Sequence, residues 1–218
     1  MNLKLPMLFA VATFAGPFAL PAAADSTAPK TAANVTYYAQ LAPMNTSVTG
    51  SRTIGVARFT VNGDDLDINI TVRGAPPNTV HWQHFHGFKD GRMATCVTQA
   101  ADKNEDGIVD LIETGPASGT TMVPFDSAPA AMDIAHGTYP EASADGSYTY
   151  HQVVSLKDLS AAFAKAYPGQ TLNLDKRVIY IHGVPGDTTL PSTVASLGPI
   201  PAQITLPIAC GKIERLDD

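Results

Sequence analysis

From Leu66 to Val72 apolar and polar residues alternate, with Leu66, Ile68, Ile70 and Val72 set against Asp67, Asn69 and Thr71. Successive side chains of a strand point to opposite faces, so this run predicts a β-strand with one buried face and one wet face. β-Prone runs at Val35 to Leu41 and Ile54 to Val61 predict two more strands. Asn62-Gly63 marks a hairpin between the second and third, because both residues tolerate positive φ. Further strands fit Val80 to His86 after the Pro76-Pro77 turn, Ser147 to Val154, Arg177 to His182 and Ile204 to Ala209. Pro207 has no amide to donate to a ladder, which places the last of these at a sheet edge. One helix is predicted. Ser155 and Asp158 resemble a capping arrangement, and Leu156, Leu159, Phe163 and Tyr167 recur at near-helical spacing until Pro168-Gly169. Its expected role is packing over a barrel end.

Composition narrows the class. The 218 residues are 44% hydrophobic and 16% charged, enough to bury a core and incompatible with a disordered or collagen-like chain. Seventeen Gly and seventeen Pro favour many turns between short strands, so the expectation is an all-β domain. A formal charge of −6 argues against general affinity for nucleic acid or anionic lipid. At the N-terminus, Lys4 is the only charge before Asp25, and an apolar segment broken by Pro6, Gly16 and Pro17 ends at Ala22-Ala23-Ala24. This reads as a secretory signal peptide over 1–24, not a membrane anchor. A small, polar leader over 25–33 and one domain over 34–218 follow. Periplasmic or secreted localisation is expected, with no membrane association after cleavage. In an oxidising compartment the only two cysteines, Cys96 and Cys210, most simply form one bridge; the alternative is two free buried thiols.

The histidines carry the candidate chemistry. In His81-Trp82-Gln83-His84-Phe85-His86-Gly87, the strand period puts His84 and His86 on one face and Phe85 on the other. Two neutral imidazoles on one strand face make a chelate suited to copper, zinc, iron or nickel, with further ligands drawn from elsewhere. The plainer alternative is a pair of ordinary surface or core histidines. His182, at the end of Arg177-Val178-Ile179-Tyr180-Ile181-His182-Gly183, is the best distant partner, since Ile179 and Ile181 face the core and His182 lies opposite with Tyr180. His81 and His151 are further candidate ligands; His81 has the opposite strand parity to His84 and joins the metal only if the strand is bulged or ends there. His136, beside Gly137, is not expected to ligate. Trp82 and Tyr180 share the ligand face, as shields for a metal or simply as barrel cover.

His84-x-His86, Cys96 twelve residues after His84, a later strand ending in His182-Gly183 and the closing Ala209-Cys210-Gly211 together resemble the copper, zinc superoxide dismutase family. The His81-x-x-His84-x-His86 segment, with His182, also resembles the related chordin-type (CHRD) domain. The resemblance spans about Val35 to Ile213 and lies in the order and spacing of short motifs. It implies a Greek-key β-barrel or sandwich, copper on His84, His86 and His182, and a Cys96–Cys210 bridge. Two departures are plain. The next histidines after Cys96 are His136 and His151, too late for the family's bridging histidine and zinc cluster, so zinc is not expected. Pro207 stands where the family carries the arginine that guides superoxide.

Asp102 to Glu113 fits a twelve-residue calcium loop. Asp102, Asn104 and Asp106 offer side-chain oxygens, Gly107 permits the sharp turn, and Ile108 offers its carbonyl. Asp110 acts directly or through water, and Glu113 in bidentate fashion. Four carboxylates this close repel one another without a cation. The alternative is a solvated acidic turn, since no clear helix pair flanks the loop. By the resemblance, the loop occupies the stretch where the family builds its zinc loop, so calcium takes over as organiser there.

Three readings result. The first is an exported copper protein dismuting superoxide at a mononuclear site. The second is a non-catalytic copper store or carrier with a donor or acceptor protein as partner. The third is a CHRD-like structural domain stiffened by calcium and the disulfide. No Ser-His-Asp arrangement, phosphate loop or paired-carboxylate glycosidase signature stands out.

Overall fold

The computed structural model describes Met1, residues 34–50 and residues 52–216. Apart from Met1, the expected signal peptide and leader lie outside the described residues. Nine antiparallel strands dominate: β1 Val35–Pro43, β2 Ile54–Asn62, β3 Asp65–Arg73, β4 Gln83–Gly87, β5 Thr120–Pro124, β6 Tyr148–Ser155, β7 Val178–His182, β8 Pro207–Lys212 and β9 Glu214–Leu216. Four helices join them: α1 Thr46–Thr49, α2 Leu111–Ser118, α3 Leu156–Ala166 and α4 Ala202–Thr205. The fold is all-β, a curled half-barrel whose strand order is β5-β4-β7-β8-β1-β2-β3-β6, with β9 added beside β1.

The alternation in β3 is realised. Leu66, Ile68, Ile70 and Val72 are buried while Asp65, Asn69, Thr71 and Arg73 are exposed. Asn62 pairs with Asp65, so the hairpin turn is Gly63-Asp64, one residue later than expected. Gly63 has φ +59°, and glycine at the first turn position accommodates it without steric cost. β1 joins the two halves of the sheet, pairing with β2 along Val35 to Leu41 and with β8 at Ala42 and Pro43. The main core lies inside the curl, where Phe59, Ile68 and Ile70 meet Phe85, Ile179, Ile181 and Ile208. α3 starts as predicted, with Ser155 Oγ accepting from the Asp158 amide, and its Leu159 and Phe163 are buried in this core.

A second apolar cluster, Phe88, Ala94, Val178, Tyr180 and Cys210, occupies the outer face of β7 and β8. That half of the sheet is therefore covered on both sides, and every residue of β4 and β7 is buried. The Cys96–Cys210 disulfide fastens the covering loop to β8 across a separation of 114 residues. Replacing both cysteines with alanine is expected to cost about 2–5 kcal/mol, because the closed loop restricts the unfolded chain. A urea midpoint unchanged by the double substitution would contradict this.

Several expectations need correction. The last predicted strand, Ile204 to Ala209, is a helical turn, α4, followed by a strand starting at Pro207. β8 is not an edge strand; it lies between β7 and β1. Pro207 is tolerated because it is the strand's first residue and sits at a register shift opposite His182, where no ladder amide is required of it. The strand predicted over Val80 to His86 begins at Gln83, with Val80 in an isolated bridge to Glu141. β5 and α2 were not predicted. α2 carries Pro116 and begins inside the acidic loop, where carboxylate spacing masks the start of a helix.

Candidate metal centre

β4 and β7 build the site. His84 pairs with Tyr180 across the ladder, so His84, His86, Tyr180 and His182 share the outer face while Phe85, Ile179 and Ile181 face the core. The His182 amide donates to the Trp82 carbonyl at 2.8 Å, which holds the end of β7 beside β4. His84, His86 and His182 each present a ring nitrogen, and the three lie within 4.8 Å of one another. Ring centroids are 4.9 Å apart for His84 and His86, and 4.5 Å for His84 and His182. A metal–imidazole bond of about 2.0–2.1 Å requires donors no more than roughly 4.2 Å apart. The observed spread exceeds that limit by about 0.6 Å.

The hydrogen bonds sort the ring nitrogens. His182 Nδ1 donates to the Thr205 carbonyl at 2.7 Å, which leaves the Nε2 lone pair free, and Nε2 is buried without a partner. An imidazole fixed by a carbonyl on one nitrogen and bare on the other is the usual state of a metal-binding histidine. His84 Nδ1 and His86 Nε2 lie 3.1 Å apart, and Thr121 Oγ1 lies 3.2 Å from His86 Nε2. Burial holds His84 and His86 well below the usual imidazole pKa, and the neighbouring His182 adds to the effect. Burial alone brings His182 down to about 4, against the pull of the Thr205 carbonyl. All three rings are therefore neutral at pH 7, with lone pairs ready for a cation. The residues fit a transition ion with a preference for imidazole nitrogen.

Tyr180 forms the floor. It is fully buried, its ring centroid is 4.7 Å from that of His86, and its hydroxyl shares a 2.7 Å hydrogen bond with Ser118 Oγ. Trp82 lines the cavity in front of the histidines and stacks on Tyr139 at 5.3 Å. The other histidines stand elsewhere. His81 turns to the opposite face, with Nδ1 3.0 Å from the His182 carbonyl and Nε2 3.0 Å from that of Pro76. It braces the backbone of His182 without joining the cluster of His84, His86 and His182. His151 is exposed on β6, 3.3 Å from Asp67, and His136 is exposed beside Asp133 at 2.9 Å.

In the acidic loop, Asp110 caps α2, accepting from the Ile112 and Glu113 amides, while the Glu113 carboxylate accepts from the Asp110 amide. A 3₁₀ turn, Gln99–Ala101, leads in, so the loop does stand between two helical turns. Asp102 Oδ2 accepts from the Gly107 amide, Asn104 Oδ1 from the Asp106 amide, and Asp106 Oδ1 from the Ile108 amide. Asp102 Oδ1 is buried with no partner. Two bonds tie the loop to residues 193–195: Thr193 donates to Asp106 at 2.6 Å and the Ala195 amide to Asp110 at 2.7 Å. The Thr193 bond lowers the Asp106 pKa.

Sequence reasoning missed Asn45. It adopts φ +49° before α1, and its buried side chain donates to the Val109 and Pro207 carbonyls and accepts from the Val109 amide. It thereby fastens the acidic loop to β8. A lone Asn before a short polar run carries no sign of partners 64 and 162 residues away. Among the described residues no helix is long and apolar enough to cross a membrane. No protein-family model and no curated protein sequence matches this chain.

Proposed function

We propose that this is an exported copper-binding protein of the superoxide dismutase type, holding one copper ion on His84, His86 and His182. The observation that supports this most directly is the convergence of three buried imidazoles within 4.8 Å, one with an unpartnered Nε2. Burial favours neutral rings, Thr205 orients His182, and Tyr180 packs beneath the ring of His86. Copper, when bound, supplies one-electron cycling, for which superoxide is the substrate class suggested by the resemblance. The disulfide supports an oxidising compartment, periplasmic or extracellular.

The test is copper stoichiometry joined to superoxide decay on the same mature protein. One copper per chain retained through dialysis is expected, with loss of binding in His84→Ala and His182→Ala and no loss in His151→Ala. No retained copper would reject the reading and favour the structural domain. Retained copper without superoxide consumption above the free-ion background would favour a copper store or carrier. That second reading is supported by the cavity lining, where none of the described residues is a lysine or arginine that would draw in an anion.

Calcium in the Asp102 to Glu113 loop is the companion proposal, with Asp102, Asn104, Asp106, Ile108, Asp110 and Glu113 as ligands. The buried, unpartnered Asp102 Oδ1 and the helix beginning at Asp110 support it. Calcium is expected to raise the melting temperature and chelation to lower it. Asp102→Asn should weaken the response, and an identical melting temperature with and without calcium would reject the site.

A further inference from the structure

The three histidines line a cavity of about 370 Å³. One liquid water occupies roughly 30 Å³, so the space is about twelve waters in size, whereas a diatomic anion needs only one or two. The volume falls in the range of sites for small organic ligands, about 300–1,000 Å³. Its walls match. Trp82, Leu111, Ile134, Leu197 and Ile200 surround the histidines, and the polar side chains besides the imidazoles are uncharged threonines.

Leu197 and Ile200 are placed there by a tight turn in which each accepts the other's amide at 3.1 Å, with Gly198 at φ +59°. Leu197 remains 49% exposed at this rim, an aliphatic side chain that gains from being covered. Leu111 is the first residue of α2, and residues 193–195 are pinned to the acidic loop, so two walls are held by one element. Trp82, stacked on Tyr139, offers an aromatic surface beside the metal-binding nitrogens.

We propose that this cavity takes an uncharged small organic molecule with an aromatic or apolar body and one nitrogen or oxygen donor that reaches the metal, in preference to a bare anion. The donor's destination rests on the copper reading above; the recognition of the body rests on the cavity walls alone. The probes are 4-phenylimidazole, imidazole and azide, titrated into the copper-loaded protein and followed by the Cu(II) EPR spectrum. 4-Phenylimidazole is expected to bind about ten-fold or more tighter than imidazole and azide. Leu197→Lys, at an exposed position outside the metal ligands, should shrink that advantage and strengthen azide. Equal affinities for the three probes, or a preference unchanged by Leu197→Lys, would overturn the inference.

If the protein takes up no copper, the copper reading fails alone. Trp82, the single tryptophan, then reports on the cavity of the metal-free protein. A saturable change in its fluorescence on adding 4-phenylimidazole, weakened in Leu197→Lys, supports the organic ligand. A response that never saturates overturns it.

Discussion

Metal-free protein is expected to lose several kcal/mol of stability between pH 7 and pH 4, and to recover most of it when loaded with copper. Four buried histidines, His81, His84, His86 and His182, have pKa values lowered in the folded state, each chiefly by burial. In the unfolded chain an imidazole titrates near 6.5. The unfolded state therefore binds more protons in acid, and the stability present above about pH 6.5 drains away as pH falls through the folded values. His182, moved from 6.5 to about 4, accounts for about 3 kcal/mol of this loss. His84 and His86 act in the same direction, and because the three rings share one site their contributions are not a simple sum. A domain of this size has roughly 5–15 kcal/mol in total, so partial acid unfolding below pH 5 follows. Lowered carboxylates such as Asp106 contribute only below about pH 4, which separates the two effects. Urea midpoints across pH, with and without copper, measure the loss directly. A flat midpoint from pH 7 to 4.5 would mean that water reaches these rings in the folded state.

Arg177→Met is expected to cost about 3–5 kcal/mol and to weaken metal binding as well. Arg177 is fully buried, and burial lowers its guanidinium pKa from an ordinary value so high that the charge persists. It donates to the carbonyls of Leu172 and Thr171 at 3.0 Å each and to Phe88 at 3.4 Å, and lies 5.6 Å from the Phe163 ring centroid. Methionine fills part of the space but leaves the buried Leu172 carbonyl without its Arg177 donor and removes the charged bonds to Thr171 and Phe88, of which Phe88 keeps the Gly91 amide. The guanidinium also touches the end of β4. Any Cβ at Gly87, the residue after His86, would collide with the Arg177 side chain. Gly87→Ala should thus be destabilising in the native background and less so in Arg177→Met, a coupling that a double-mutant cycle reads out. Strictly additive costs would show that the two residues do not set each other's position, and that His86 is held by other contacts.

How much could be read beforehand differs between strands and loops. The period in Leu66 to Val72 specified both a strand and its buried face, because a one-residue slip would expose four aliphatic side chains. β7 and β4 carry little such alternation, being buried on both faces, yet the two-residue spacing of His84 and His86 still fixed their common side. The error at Pro207 came from a sound local rule. Proline cannot donate within a ladder, but opposite a bulge no donor is needed, and bulges are properties of a pair of strands.

Chain chemistry alone determined an all-β domain with two cysteines available for a bridge, and it placed a His-x-His pair on one strand face and an acidic loop with the spacing of a calcium-loop pattern. These follow from spacing within a few residues, where backbone geometry leaves few choices. Only the fold decided that His182 arrives beside His84, that His81 turns away to brace a carbonyl, and that Thr205 orients the third ring. It also decided that Leu197 and Ile200 wall the cavity above the histidines. Those relations join segments as far as 101 residues apart, as for His81 and His182, and 23 apart, as for His182 and Thr205; their geometry depends on strand order, register and loop packing, which local patterns do not encode.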